Sequence, residues 1–213
     1  MRNHENSSVE IIGTLCATLI ILFLGIWLFL GSTLQGQAYT TEALRQAELN
    51  ENPKKIKSLI LVNSDQQIIE LANLSKDQRV YIVDFMYTRC QTVCLSLGSV
   101  FQNLQAKILA QGLEKKIGLA SISFDPKNDD PQALQRYEKR MQMQTDVWRA
   151  YSLQDANQRD LLLNSFGIMV IPAPLDEFEH NAALHLLKNN TLYRIFPLDD
   201  ADNALLQAVG LSQ

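Results

Sequence analysis

Two cysteines four residues apart, Cys90 and Cys94, are the residues of this sequence best suited to chemistry. They follow an apolar run and precede a segment with helical periodicity. At the start of a helix, side chains four apart share one face, with Cβ atoms about 5–6 Å apart. A disulfide needs about 3.5–4.5 Å, so the first turn would have to distort slightly to close one. The same spacing lets two thiolates share one metal ion. Unpaired N–H groups and the positive dipole end of a helix lower a thiol pKa, and Arg89 adds a cation. Two chemistries follow: reversible dithiol–disulfide exchange, with Cys90 and Cys94 as the redox pair, or capture of a soft ion such as Cu(I). A purely structural disulfide is the competing reading, and so short a loop would constrain the unfolded chain little. The third cysteine, Cys16, lies in a long apolar segment and reads as a small apolar residue.

Two thiolates leave a metal site open, and the spacing of a four-ligand zinc site is absent. Of the three histidines, His4 precedes the apolar segment. His180 and His185 are five apart, so a regular strand points them to opposite faces. His180 falls at a loop-to-strand junction, which suits a ligand. His185, between Leu184 and Leu186, reads more readily as a packed residue. The spacing favours His180 and leaves His185 open. Asp125 could orient a ligand or simply start a helix. Met86, Met141 and Met143 are soft donors that read as packing. Asp176, Glu177 and Glu179 could bond the His180 ring or meet a basic partner, or form a solvated acidic loop. Tyr87 could shield the site or belong to the core.

The elements that must position these residues are legible in outline. Ile56 to Val62 reads as a strand, Asn63-Ser64-Asp65 as a turn and Gln67 to Leu71 as the returning strand. Val80 to Met86 is a near-continuous apolar run, which suits a central strand covered on both faces. Thr88 with Gln91 three residues later has the form of a capping box, predicting a helix from about Arg89. Val93, Leu97, Val100/Phe101, Leu104 and Ile108 give that helix its apolar face. Ile117 to Phe124 reads as a second buried strand, and Pro131 to Met143 as a helix burying Leu134, Tyr137 and Met141. Asp155 to Phe166 reads as a helix closed by Gly167. Ala182 to Leu187 and Leu192 to Phe196 form a hairpin about Lys188-Asn189-Asn190-Thr191. Asp199 or Asp200 then caps a last helix carrying Leu205, Leu206 and Val209. Alternating strands and helices that end in a hairpin and a helix predict an α/β, thioredoxin-like three-layer sandwich with a mixed central sheet.

The rest of the chain bounds the setting. Of 213 residues, Lys and Arg number 19 and Asp and Glu 23. No basic block stands out, so nucleic acid is not an expected partner. Residues 11–30 lack any charge and are long enough to span a bilayer at about 1.5 Å per residue. The run is longer than the h-region of a secretory signal, and no small-residue cleavage site closely follows. It is expected to be one transmembrane anchor, with residues 1–10 as a cytoplasmic tail, 31–53 as a tether with a short polar helix near 40–50, and 54–213 as the folded domain. Arg2 before the span and no basic residue after it until Arg45 favour a cytoplasmic N-terminus. The domain is then expected on the periplasmic side of a bacterial inner membrane. Without a transit peptide, the mitochondrial inner membrane is the lesser option.

Several ordered segments resemble the Sco/SenC family of cytochrome oxidase assembly proteins. Asp84-Phe85-Met86-Tyr87-Thr88-Arg89-Cys90-Gln91-Thr92-Val93-Cys94 is similar to its Cys-x3-Cys signature. Ile122-Ser123-Phe124-Asp125-Pro126, with Asp129 and Pro131, is similar to its second signature. Leu134, Tyr137 and Trp148, then Phe166-Gly167-Ile168, fit its following elements. His180-Asn181 with the strand to Leu187 resembles its histidine segment. Gln91 and Leu95 stand where that family commonly has prolines, and Thr92 where it commonly has an acidic residue. The resemblance, over about residues 55–210, implies a thioredoxin-like fold and copper, Cu(I) or Cu(II), held by Cys90, Cys94 and His180. It implies delivery to the binuclear copper site of cytochrome c oxidase subunit II. A copper donor or thiol reductant in the periplasm would be a further partner. Two other expectations keep the same residues: a thiol–disulfide oxidoreductase that keeps the acceptor's cysteines reduced, and a redox or copper sensor module.

Overall fold

The computed structural model describes residues 2–32, 41–74, 78–90, 93–174 and 177–213, and their side chains except those of residues 2–11, 32, 41–44, 50 and 93–96. The chain divides into two compact units, Met1–Glu48 and Leu49–Gln213. In the first, helix α1 (Arg2–Ser32) contains a stretch, Ile12–Gly31, long and apolar enough to cross a membrane, with its side chains exposed. The Thr18 hydroxyl donates to the carbonyls of Thr14 and Leu15, so this polar group is satisfied within its own helix. Helix α2 (Thr41–Glu51) falls where a short polar helix was expected.

The second unit is built on an eight-stranded mixed sheet. Its centre is β4 (Val80–Met86), buried at every position. The order, by elements whose ranges follow, is β1-β10-β9-β4-β5-β6-β2-β3. β5 (Ile117–Ser123) runs parallel to β4, from Val80↔Ile117 to Met86↔Ser123. β6 (Trp148–Leu153) runs parallel to β5, and β2 (Ile60–Asn63) and β3 (Ile68–Glu70) close that side antiparallel. On the other side lie antiparallel β9 (Leu184–Lys188), β10 (Thr191–Phe196) and the short β1 (Lys54–Lys55). The β9–β10 turn has Asn189 and Asn190 at φ 49° and 59°, the left-handed pair that a two-residue hairpin requires and asparagine tolerates.

Three differences from the expected elements have physical causes. The first strand begins at Ile60, not Ile56, because Ile56 is held by Asn190, whose side-chain amide donates to the Ile56 carbonyl and whose own carbonyl accepts from Ile56 N. β6 was not expected at all. Ala150 and Ser152 make its inner positions small, and their fit depends on neighbours far along the chain: the carboxylate of Glu138 accepts from Ala150 N at 3.0 Å. A separate ribbon, β7 (Val170–Ala173) with β8 (Glu177–His180), was also unforeseen, its proline and acidic residues masking any strand pattern.

Four helices flank the sheet. α3 (Val93–Ala110) buries Leu97, Phe101, Leu104 and Ile108, with Phe101 against Trp148 at 5.4 Å between rings. α4 (Pro131–Met141) is capped by Asp130, which accepts from Ala133 N. It comes so close to α3 that a Cβ on Gly98 would meet Met141 Sδ at 2.6 Å. α5 (Arg159–Phe166) starts later than expected, because Asp155 caps a separate 3-10 turn, Ala156–Gln158. Phe166 of α5 packs on Phe85 of β4 at 4.8 Å, on the sheet face opposite Trp148. α6 (Ala201–Leu211) buries Ala204, Leu205 and Ala208, whereas Leu206 is 67% exposed.

Candidate metal centre

The cysteine segment does not begin a helix as the capping-box pattern suggested. Thr88 and Arg89 form a turn, Cys90 N donates to the Tyr87 carbonyl, and α3 starts at Val93. Gln91, the other half of the expected box, lies outside the described residues. Thr88 is occupied elsewhere. Its N–H donates to Asp129 Oδ2 at 2.9 Å and its hydroxyl to Asp129 Oδ1 at 2.6 Å. Cys90 therefore sits in the turn before the helix and Cys94 within its first turn, so the shared helix face derived from their spacing does not apply. The Cys94 side chain is among those not described.

A buried polar network braces this turn. Ser123, at the end of β5, donates to Asp129 Oδ2 at 2.5 Å, and Asp125 N donates to Ser123 Oγ. Burial raises the Asp129 pKa, opposed by the donors Ser123 and Thr88. Asp125, 6% exposed, accepts from Arg89 at 3.1 Å and from the Asn128 side chain, so it anchors the residue next to Cys90. The Thr88 carbonyl accepts from Arg140 of α4 at 2.7 Å. None of this is visible from spacing, because Asp129 is 41 residues from Thr88.

His180 arrives from the ribbon. It ends β8 opposite Val170 and is half-buried. Its ring lies 5.1 Å from the Phe124 ring and 6.5 Å from that of Tyr87. Phe178, two residues earlier on the same face, stacks edge-on with Tyr87 and Phe124. Phe178 N donates to the Tyr87 hydroxyl at 3.1 Å, tying the ribbon to the strand that leads to Cys90. Arg159 lies over the Phe124 and Phe178 rings and donates to the Phe124 carbonyl. Asn181 fixes the other strand: its side chain accepts from Met169 N at 2.7 Å and donates to the Gly167 carbonyl. Gly167 supplies the left-handed residue, φ 63°, that ends α5 at that point.

The electrostatics join the two halves. Burial lowers the His180 pKa, while the Asn181 carbonyl and the nearby Cys90 charge oppose the shift. His180 Nδ1 lies 3.2 Å from the Asn181 carbonyl. With a proton on Nδ1, Nε2 is left with a lone pair, the form in which imidazole binds metal. Burial also raises the Tyr87 pKa, and its interaction with Cys90 adds to that rise. Cys90 is 2% exposed. A sulfur ligand and an imidazole whose charged form is disfavoured by burial suit a soft cation such as Cu(I). Among the described residues no group of three or more His, Cys, Asp or Glu gathers as a metal cluster, Cys94's side chain being outside that set.

His185 is a core residue. It is fully buried in β9, edge-on to Phe85 at 5.1 Å and Phe166 at 5.7 Å, on the sheet interior. The two histidines also lie in different strands. Met86 and Met141 are buried in the core and Met143 packs against it. Phe124 and Phe178 were missed as site residues. The available signal was an aromatic two positions before a candidate ligand in an extended segment, which places both on one face.

The fold and the site together define a thioredoxin-like α/β domain with a cysteine turn and an incoming histidine. Residues 46–209 match the SCO1/SenC family, and the chain belongs to it. A curated relative, the SCO1 protein homolog of Bacillus subtilis, is 28% identical over 129 residues, 59% of this chain and 64% of that protein. The chain thus spans just under two thirds of that relative's length. Among solved structures, BsSco, a member of the Sco family of cytochrome c oxidase assembly proteins in which a disulfide switch was identified, has TM-score 0.65 at 20% identity. That alignment covers 76% of this chain and 95% of BsSco. Copper-bound ScoI of Arabidopsis thaliana has TM-score 0.61 at 14% identity, over 74% and 99% of the two chains. These likenesses support the thioredoxin-like fold.

Proposed function

We propose that this chain is a membrane-anchored copper carrier that delivers copper to the binuclear copper site of cytochrome c oxidase subunit II. Copper is held by Cys90, Cys94 and His180. The observation that carries this reading is His180 set against the rings of Phe124 and Tyr87, the residue whose carbonyl accepts from Cys90 N, a histidine that a dithiol reductase does not need. Transfer proceeds by exchange of these ligands for the acceptor's own cysteines and histidines. The apolar helix is the anchor, with residues 1–10 cytoplasmic, 11–30 spanning, 31–53 a tether and 54–213 the working domain. The location proposed is a bacterial inner membrane with the domain in the periplasm, where a copper donor or thiol reductant would load or reduce it.

The test is Cu(I) and Cu(II) titration of the reduced full chain in detergent, followed by absorbance, beside His180→Ala. One equivalent bound with sulfur-to-copper charge transfer, greatly weakened in the variant, is the expected result. No stable binding, with a Cys90–Cys94 disulfide cycling equally in both proteins, would replace this reading with a thiol–disulfide oxidoreductase. The disulfide switch of BsSco favours keeping that second reading in the experiment.

A further inference from the structure

Phe178 turns its peptide edge away from β7. Asn181 N donates to the Met169 carbonyl, which makes Val170↔His180 a pair without mutual hydrogen bonds, and strand alternation makes Pro172↔Phe178 another. In such a pair the N–H and carbonyl of each residue point outward, so Pro172 costs the ladder nothing. The outward groups of Phe178 both meet one side chain. Its N–H donates to the Tyr87 hydroxyl at 3.1 Å, and its carbonyl accepts from that hydroxyl at 3.4 Å, a long bond. The same hydroxyl hydrogen-bonds the Cys90 side chain, and this contact helps to hold its proton in place. Tyr87 is 1% exposed, and its own carbonyl accepts from Cys90 N at 3.2 Å. One buried hydroxyl therefore joins the cysteine turn to the strand whose last residue is His180, two positions beyond Phe178 on the same face.

A hydroxyl carries one proton. It can accept from Phe178 N throughout, but it donates well either to Cys90 Sγ or to the Phe178 carbonyl, not to both. A sulfur with its lone pairs uncommitted is the stronger acceptor, and one that shares them with a cation is weaker. We propose that the Tyr87 hydroxyl is a positioning group that couples the state of Cys90 to the histidine ribbon: it donates to the sulfur while Cys90 carries no metal and to the Phe178 carbonyl once Cys90 is engaged. β8 is then gripped by one hydrogen bond in the first state and by two in the second. His180 is accordingly the last ligand to be fixed and the first to be loosened. The metal-dependent part rests on the copper-carrier reading above; the sharing of the hydroxyl does not.

The experiment is amide hydrogen exchange, resolved by residue, on the reduced full chain in detergent. It compares the parent, Tyr87→Phe, Cys90→Ala and the double variant, first without metal. Tyr87→Phe keeps the ring contacts and should speed exchange at Phe178 N about fivefold. Cys90→Ala removes the competing acceptor and should slow it about threefold in the parent, but leave it unchanged in the Tyr87→Phe background. A tyrosine that merely packs would give no such dependence. Amides of β5 should keep their protection in all four proteins, which shows that they fold. Cu(I), buffered by a chelator, should then slow Phe178 exchange in the parent and not in Tyr87→Phe. The same response to Cys90→Ala with and without the hydroxyl overturns the proposal, as does Cu(I) that binds the parent and leaves Phe178 exchange unchanged. Were Tyr87→Phe to lose its β5 protection, parent against Cys90→Ala would decide alone, and no slowing there overturns the proposal. Cu(I) that fails to bind the parent at all, with the variant cycle as expected, overturns the copper-carrier reading and supports the shared hydroxyl.

Discussion

Around Cys90 the backbone is held by hydrogen bonds to a buried carboxylate; around His180 it is held by stacked rings, one guanidinium and single hydrogen bonds from Phe178 N to the Tyr87 hydroxyl and from the Asn181 side chain to the Gly167 carbonyl. Thr88 gives Asp129 two hydrogen bonds and Ser123 gives it a third, all within the main body of the sheet. His180 hangs on a two-stranded ribbon that touches the body through Phe178, Tyr87, Phe124 and Arg159. Hydrogen bonds to a carboxylate fix direction, and losing one leaves a buried group unsatisfied. Ring contacts fix proximity but allow sliding. We therefore expect the cysteine half of the site to be the rigid one and the histidine half to be movable by small steps. If the chain is the copper carrier proposed above, release of its cargo one ligand at a time needs that asymmetry.

How much the hydrogen bonds around Asp129 matter can be gauged against a second buried aspartate that lacks them. Asp84, fully buried in β4, accepts no well-formed hydrogen bond among the described residues, and burial pushes its pKa from 3.8 to about 7, only partly opposed by Ser121. The folded protein therefore binds a proton more tightly than the unfolded chain does. The favourable contribution is complete below pH 3.8 and is lost as the pH rises to about 7. At 1.36 kcal/mol per pKa unit the full loss is on the order of 4 kcal/mol. Asp84→Asn should remove that fall, seen by comparing urea unfolding of the two proteins from pH 4 to pH 8. Parallel profiles would mean that Asp84 is better solvated or better paired than its burial implies. Next in size is Asp129→Ala, which strands three donors and should cost about 3 kcal/mol by the same measurement. It should also broaden the copper charge-transfer band, because the turn carrying Cys90 loses its brace. A full loss of stability with an unchanged band would place the network in the fold alone.

The contrast between the two histidines gives a third test. His185→Ala should cost about 2 kcal/mol by opening space beside Phe85 and Phe166. Copper binding should be unchanged, the opposite of His180→Ala. Copper loss in His185→Ala at intact stability would sink the assignment of His185 to the core.

The sequence made the rigid half partly legible and the movable half hardly at all. β4 was read with its bounds as they stand, because a strand buried on both faces is apolar throughout and needs no partner to be recognised. α3's apolar face was likewise explicit in its spacing. The Thr88–Gln91 pattern misled because a local cap and a long-range bond to Asp129 ask for the same residue, threonine, and only the fold chooses. β6 was missed because its burial is made by neighbours: Trp148 Nε1 donates to Ser121 Oγ, and Glu138 receives Ala150 N. The ribbon was missed because its stability is borrowed. Val170 to Ala173 and Glu177 to His180 carry a proline and two glutamates, and what holds them is Tyr87, Phe124 and Arg159, all distant in the chain. His180 was still singled out, since a histidine entering an apolar strand from a polar loop is a local feature.

The smallest effect on stability should fall on the movable half, where the effect on copper is largest in proportion. Phe178 is half-buried, and its removal as Phe178→Ala takes away contacts with two rings and a guanidinium while leaving the sheet untouched. Global stability should drop by only about 1 kcal/mol, since a ribbon outside the main sheet opens without unfolding it. The same loss frees β8 to shift, so His180 spends less time within reach of Cys90. Copper affinity falls by the fraction of molecules in which the ligand is in place, about tenfold if that fraction drops to one tenth. Arg159→Lys keeps the charge but not the planar stack, and should fall between the parent and Phe178→Ala. Chelator competition and urea unfolding on the same samples separate the two quantities. If Phe178→Ala lowered stability as much as Asp129→Ala and left copper affinity intact, the ribbon would be part of the rigid body, and the division of the site into a fixed cysteine half and a movable histidine half would be wrong.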